Sequence, residues 1–422
     1  MQNMMSASDV RPEGRTYIAG RNSLKVISYN ILAPKYASYN SYCPPKFLDW
    51  AHRRAGVLRE LTHLGADVIG LQECDMEFFN EELKEWMALW GIRGQFLERP
   101  VGPVPGLSEG VALLWQDALF EVVEVRQELY SRMDPRVAGL PSEVAGTRAW
   151  SKLREMGEGL LMALLRHRPS GRLILAAVTH LFWDPAFPDV KVLQAALMCG
   201  SLSAFAREAV GAGGVLRGPP PGLLLFGDFN SLACKYLPDK FDTAVPPGGL
   251  RSGVYTLLGQ GSLPPEHPDH PATRVWESEG PCPTGEQHFP QLPLTSAQLQ
   301  FTSLYAEAFG REPPLTTRTA SWAGCIDFVW LSRGDFSVAS ALMMPYEDGG
   351  LPPLGPDADA TGRRGRGSRA PSWRDPLSDV TFGPIPDEFF PSDHLAVGGD
   401  VVVLPPPPLL SSSNIMATAA QQ

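Results

Sequence analysis

GLLLFGDFNS, residues 222–231, decides how the rest of the chain is understood. Gly222 to Phe226 carries no polar side chain, which suits a strand buried on both faces. Asp228 and Asn230 stand at its end, where a core has no use for them. Turns take Asp and Asn readily. After so apolar a run, however, the pair points to a site at a sheet edge.

The same pattern recurs on either side. LKVISYNIL (24–32) carries Asn30 near the end of a buried strand, and ADVIGLQE ends at Glu73. RLILAAVTH ends at His180, CIDFVWLS carries Asp327, and PSDHLAV carries Asp393 and His394. Each has a plain alternative: a turn for Asn30, a surface carboxylate for Glu73, a satisfied core histidine for His180, a cap for Asp393–His394. Asp327 resists one, because an unpaired carboxylate in an apolar strand costs roughly several kcal/mol. Together they form a set of carboxylates, amides and histidines with no Ser or Cys nucleophile motif. Hard oxygen donors favour Mg2+, with Mn2+ as a substitute, as one or two ions. Zinc would call for closely spaced His and Cys.

Composition narrows the class. The 422 residues carry a net charge of −10, which argues against broad binding to duplex DNA but not against a nucleic-acid enzyme that grips phosphate through a cation. Six scattered cysteines without C-x-x-C spacing point to reduced thiols in an intracellular compartment; the expected setting is cytoplasmic or nuclear, with an organelle left open. The first residues lack the apolar core of a signal peptide, and no apolar run is long enough to span a bilayer.

Early helices alternate with strands. Residues 47–64 and MEFFNEELKEWMALWG, closed by Gly91, have helical spacing, as does DVKVLQAALMCGSLSAFAREA. EGVALLW and LFEVVEV form two adjacent strands, and GLLMALLRH with RLILAAVTH forms a hairpin turning at Pro169–Gly171. Strands dominate later. The fold class is α/β (α+β): a four-layer α/β/β/α sandwich of two packed mixed sheets. A flexible leader (1–22) precedes a single catalytic domain (23–403). Gly/Pro-rich insertions fall near 209–222, 232–252, 260–295 and 349–376, and a Pro/Ser/Ala tail fills 404–422. The basic run at 363–369 suits a solvated loop.

In order, SYNIL, LQE, EGVALLW, THLFWDP, GDFNS, CIDFVW and PSDHLAV resemble the motifs of the DNase I-like endonuclease/exonuclease/phosphatase superfamily, from about Leu24 to Val402. THLFWDPAFPDVK and GVYTLL look like the carbon-catabolite-repressor-type deadenylases and their relatives, nocturnin and angel. The resemblance implies a 3′–5′ exoribonuclease acting on the poly(A) tail of mRNA. It implies Glu73 and Asn30 at the metal, with Asp327 across from them. Asp228 orients or deprotonates the water, Asn230 holds it, and His180 donates to a phosphate oxygen. His394 contacts the phosphate, held by Asp393. It also implies a base packed between Pro185 and Trp322, with Asn230 reaching adenine. Otherwise Trp322 is a buried strand aromatic and Pro185 a loop residue. The resemblance also implies a deadenylation complex as a partner, though no leucine-rich-repeat docking module is seen ahead of the first motif. The segment LTTRTASWAG departs from the family's pattern, and a Pro-rich insertion follows GDFNS. Two alternatives stay open: a phosphatase or phosphodiesterase on a small 2′-phosphorylated, 2′,5′-linked or cyclic nucleotide, and a noncatalytic RNA-binding scaffold.

Overall fold

The computed structural model describes residues 22–100, 108–211, 219–238, 245–246, 248–274, 288–346 and 380–406. The predicted leader, most of the tail, the 349–376 insertion and the basic run lie outside the described residues.

Two six-stranded mixed sheets face each other. The first is built from β1 (Ser23–Asn30), β2 (Val68–Asp75), β3 (Ile92–Arg99), β4 (Glu109–Gln116), β11 (Phe336–Ala341) and β12 (Val397–Val403), in the order β11-β12-β1-β2-β4-β3. The second holds β5 (Phe120–Leu129), β6 (Gly159–His167), β7 (Leu173–His180), β8 (Gly222–Asp228), β9 (Phe301–Ser303) and β10 (Asp327–Ser332), in the order β9-β10-β8-β7-β6-β5. β1 runs parallel to β2 and β7 parallel to β8, and the other neighbours are antiparallel.

Strand alternation sorts the side chains into layers. Val26, Val68, Leu113 and Trp115 meet Val178, Leu224, Phe226 and Val329 between the sheets. Ile27, Ile69 and Leu71 turn outward against Val57, Leu58 and Leu61 of helix α1 (Trp50–Leu64). Met162, Leu175 and Leu225 turn the other way, against Val190, Leu193 and Leu197 of helix α2 (Pro188–Val210). Gly70 permits the close approach of the sheets, since a Cβ there would stand 2.4 Å from that of Phe226. The expected four-layer sandwich is therefore the fold.

Some local expectations need correction. The helix predicted from residue 47 breaks at Asp49, whose side chain caps α1 by accepting from the Ala51 amide at 2.9 Å. EGVALLW and LFEVVEV follow one another in the chain but enter different sheets as β4 and β5. Strands β3 and β9 were not expected. β3 is an edge strand whose side chains are mostly exposed or half-buried, so it lacks an apolar signal, and β9 is only three residues long. Parts of two predicted insertions are ordered by short ladders, Cys234–Lys235 with Leu250–Arg251 and Ser262–Leu263 with Leu294–Thr295. Among the described residues, no helix is long and apolar enough to cross a membrane.

Candidate active site

Register brings the singled-out residues to one end of the sandwich. His180 pairs with Asp228 across β7 and β8, and Asp228 pairs with Asp327 across β8 and β10, so three strands present them in one row. Asp327 opens β10 rather than sitting inside it. Because β10 runs antiparallel to β8, its start meets the end of β8. Asn30 ends β1 in the facing sheet and crosses the seam. Its Nδ2 donates to Glu73 at 3.1 Å and to Asp228 at 3.0 Å. Its oxygen accepts from the Leu32 amide at 3.0 Å.

Glu73 sits at a bulge in β2 with φ 52, and its second oxygen accepts from the Ala33 amide at 3.0 Å. Burial, then the charges of Asp393 and Glu109, push its carboxyl up to about 7. Asp228 is buried, with one oxygen on the Asn230 amide at 2.9 Å. Burial and the neighbouring Asp327 raise its pKa. Left-handed backbone in a residue with a side chain is strained and gathers at functional sites. Among the described non-glycine residues it occurs at five positions, and Leu32, Glu73 and Asn230 are three of them.

His394 is not held by Asp393, contrary to expectation. Its Nδ1 lies 3.1 and 3.0 Å from the two oxygens of Asp327, while Asp393 accepts from the side-chain Nδ2 of Asn40 at 3.0 Å. Asp393 lies in the bend that runs from Pro391, and its side chain leaves the imidazole for Asn40. The Thr316 hydroxyl fixes Asp327 in turn, donating at 2.5 Å. Nε2 of His394 faces Asp228 at 3.8 Å. Burial opposes charge on this imidazole, but Asp327, Asp228 and Asp393 outweigh it and raise the pKa well above the usual histidine value.

His180 differs. Burial lowers its pKa to about 4, so it is neutral at pH 7. The Asn230 amide nitrogen lies 3.0 Å from the Leu181 carbonyl, which can only accept, and 2.9 Å from His180 Nε2. That orientation makes Nε2 an acceptor and puts the ring proton on Nδ1.

Asp228, Asp327 and His394 each offer a ligand atom, all within 4.8 Å of one another, and form the only such group of three or more found among the described residues. The two carboxylates, with Glu73 next to them across Asn30, fit a divalent cation, and the charged imidazole of His394 lies beside them. Pro185 is exposed and Trp322 is 46% exposed, on the short loop between Thr317–Arg318 and Ala323–Gly324, so Trp322 is not a buried strand aromatic. A Cβ at Gly324 would stand 2.9 Å from the indole and 2.6 Å from Leu232, so glycine lets the indole lie close to the segment after Asn230. Thr316, Asn40 and Ser392 were not anticipated. Ser392 donates to the Asn30 carbonyl at 2.7 Å and accepts from the His394 amide at 3.1 Å. Only its place before Asp393–His394 hinted at a role.

A family model described as the endonuclease/exonuclease/phosphatase family matches residues 27–394. The chain is 27% identical over 343 residues to a Danio rerio protein named CCR4-NOT transcription complex subunit 6-like, covering 75% of this chain and 56% of that one. It thus spans little more than half of that relative's length. Carbon catabolite repressor protein 4 homolog 4 of Arabidopsis thaliana is 23% identical over 422 residues, 95% of this chain and 82% of its own. Among solved structures, ANGEL2, a 2′,3′-cyclic phosphatase, in complex with adenosine-2′,3′-vanadate, matches with a TM-score of 0.59 at 20% identity, over 90% of this chain and 95% of that one.

Proposed function

This chain belongs to the endonuclease/exonuclease/phosphatase family, and from that premise we propose that it is a Mg2+-dependent 3′–5′ exoribonuclease that shortens poly(A) tails and releases 5′-nucleotides. The observation that carries the chemistry is the buried Asp228–Asp327–His394 group, joined to Glu73 through Asn30. The names of the relatives support the substrate class, since several are called CCR4-Not complex 3′-5′-exoribonuclease subunits.

Glu73 and Asp327, with Asn30 beside them, would hold the cation. When bound, it would supply Lewis-acid stabilisation of charge on the phosphate and the leaving oxygen. Asp228, with its pKa raised, is suited to take a proton from the attacking water. His394, cationic and oriented by Asp327, donates from Nε2 to a phosphate oxygen. His180, being neutral, acts through Asn230: it holds one amide hydrogen so that the amide oxygen turns to the water or the base. Asp393 supports the loop through Asn40 rather than through the imidazole. Pro185 and Trp322 flank the terminal base, and a Trp face stacks on any base for about 1–3 kcal/mol. The proposed domain runs from residue 23 to 403, and the proposed setting is mRNA decay in the cytoplasm and nucleus.

The test uses purified protein, Mg2+ and a 5′-labelled RNA ending in twenty adenosines (about twenty, as a convenient length). A mixed-sequence tail, a 2′-phosphorylated dinucleotide and a 2′,3′-cyclic phosphate end run beside it, with Glu73→Ala as the blank. A ladder shortening through the adenosines, absent from the blank, supports the proposal. Phosphate release or ring opening without shortening moves the function to a small-nucleotide or RNA-end phosphatase.

A further inference from the structure

Two buried cations next to the site end on backbone carbonyls. Arg53, on α1, is fully buried. Its Nη1 lies 2.8 Å from the Leu32 carbonyl, 3.2 Å from that of Pro391 and 3.4 Å from that of Ile31. Lys191, in the first turns of α2, is 3% exposed, and its Nζ donates to the Asn230 carbonyl at 2.6 Å. Burying a guanidinium or an ammonium is costly unless it is hydrogen-bonded or paired, so the partners of each charge matter.

Two of the carbonyls they reach share an unusual feature that those of Ile31, Leu48 and Pro391 lack. Leu32 has φ 55 and Asn230 has φ 47, both left-handed and neither glycine. Each stands two residues after a site residue and donates its N–H back to that side chain: Leu32 to Asn30 Oδ1 at 3.0 Å, Asn230 to Asp228 Oδ1 at 2.9 Å. One device is thus built twice, in the facing sheets. A strand ends in Asn or Asp, that side chain closes a turn on the amide two residues on, and a buried cation grips the carbonyl of the residue so bent. Arg53 adds a third hold through Pro391, next to Ser392, which links Asn30 to His394.

We infer that Arg53 and Lys191 are positioning residues that keep these two turns left-handed and thereby aim Asn30, Asp228 and Asn230 at the reacting phosphate. Without the cation, the bent residue returns to negative φ, its N–H leaves the Asn or Asp, and the freed side chain loses its aim. The Asn230 amide would also leave His180. The inference rests on the site proposed above and not on its substrate.

The test compares Lys191→Met and Arg53→Met with the charge-keeping Lys191→Arg and Arg53→Lys in the full chain. kcat and KM are measured per folded molecule on tailed RNA and on bis(p-nitrophenyl) phosphate. The expected result is a kcat lowered about 10- to 100-fold in the methionine variants, with KM within about twofold, and substantial recovery in the charge-keeping ones. A crystal structure of Lys191→Met should show Asn230 outside the left-handed region. Where methionine does not fold, Lys191→Gln and Arg53→Gln carry the same comparison. Unchanged kcat per folded molecule, or Asn230 still near φ 47 in Lys191→Met, overturns the inference. If the parent protein cleaves neither substrate, the proposed function fails, and the φ of Asn230 alone decides the positioning role.

Discussion

His394 takes its orientation from Asp327, 67 residues earlier in the chain, through Nδ1 contacts of 3.1 and 3.0 Å. The antiparallel start of β10 and the loop before β12 bring the two together, and Thr316 holds the carboxylate from behind. The imidazole is thereby kept charged, with Nε2 free to face Asp228.

Asp327→Asn and Asp393→Asn should therefore differ. The first removes the carboxylate charge that keeps the imidazole protonated, replaces one acceptor oxygen by an NH2 donor, and should lower kcat by about 10²–10⁴-fold. The second loosens one loop contact and should cost less than about tenfold. Single-turnover rates at saturating substrate check this. Equal losses would return the orienting role to Asp393.

Glu73→Gln should abolish turnover yet stabilise the metal-free protein at high pH. A folded pKa of about 7 against an ordinary 4.5 means the native carboxyl binds its proton more tightly. The stability this confers is complete below pH 4.5 and lost as pH rises through 7. Glutamine removes that loss, so the variant should gain roughly 2 kcal/mol relative to the parent between pH 5 and pH 8 in EDTA. Urea unfolding at both pH values measures it, and Mn2+ titration should show weakened binding in the variant.

Trp322→Ala should raise KM for tailed RNA about tenfold or more, in line with the loss of one base stack. Hydrolysis of bis(p-nitrophenyl) phosphate, which presents no nucleobase, should change little. An unchanged KM for RNA would mean that the exposed indole takes no part in gripping the substrate.

His167 lies far from this chemistry, fully buried, with Nδ1 2.7 Å from the Ser170 hydroxyl. Burial lowers its pKa to about 4 from 6.5. Between those values the unfolded chain binds a proton that the native chain refuses, so stability falls as pH drops from 6.5 towards 4. The stability gap between parent and His167→Gln should shrink by roughly 2 kcal/mol from pH 7.5 to pH 5. Denaturant midpoints of the two proteins, compared at each pH, measure it.

The order of residues along the chain settles local matters. Continuous apolar runs such as GLLLF and VIGL can bury both faces, and polar residues at their ends mark a sheet edge. Those signals made the two-sheet fold legible and picked out Asn30, Glu73, Asp228, Asn230 and Asp327. Partnership between distant residues is settled only once the chain is folded. β4 and β5 differ in sheet because a short turn permits either a hairpin or a crossing, and burial between the sheets makes the choice. Asp393 neighbours His394 in the chain, but its side chain goes to Asn40, and Asp327 at the start of β10 takes the imidazole instead. The contacts of Arg53 and Lys191 leave no trace in the sequence, because every residue has a carbonyl and only the folded chain shows which carbonyls are bent towards a buried charge.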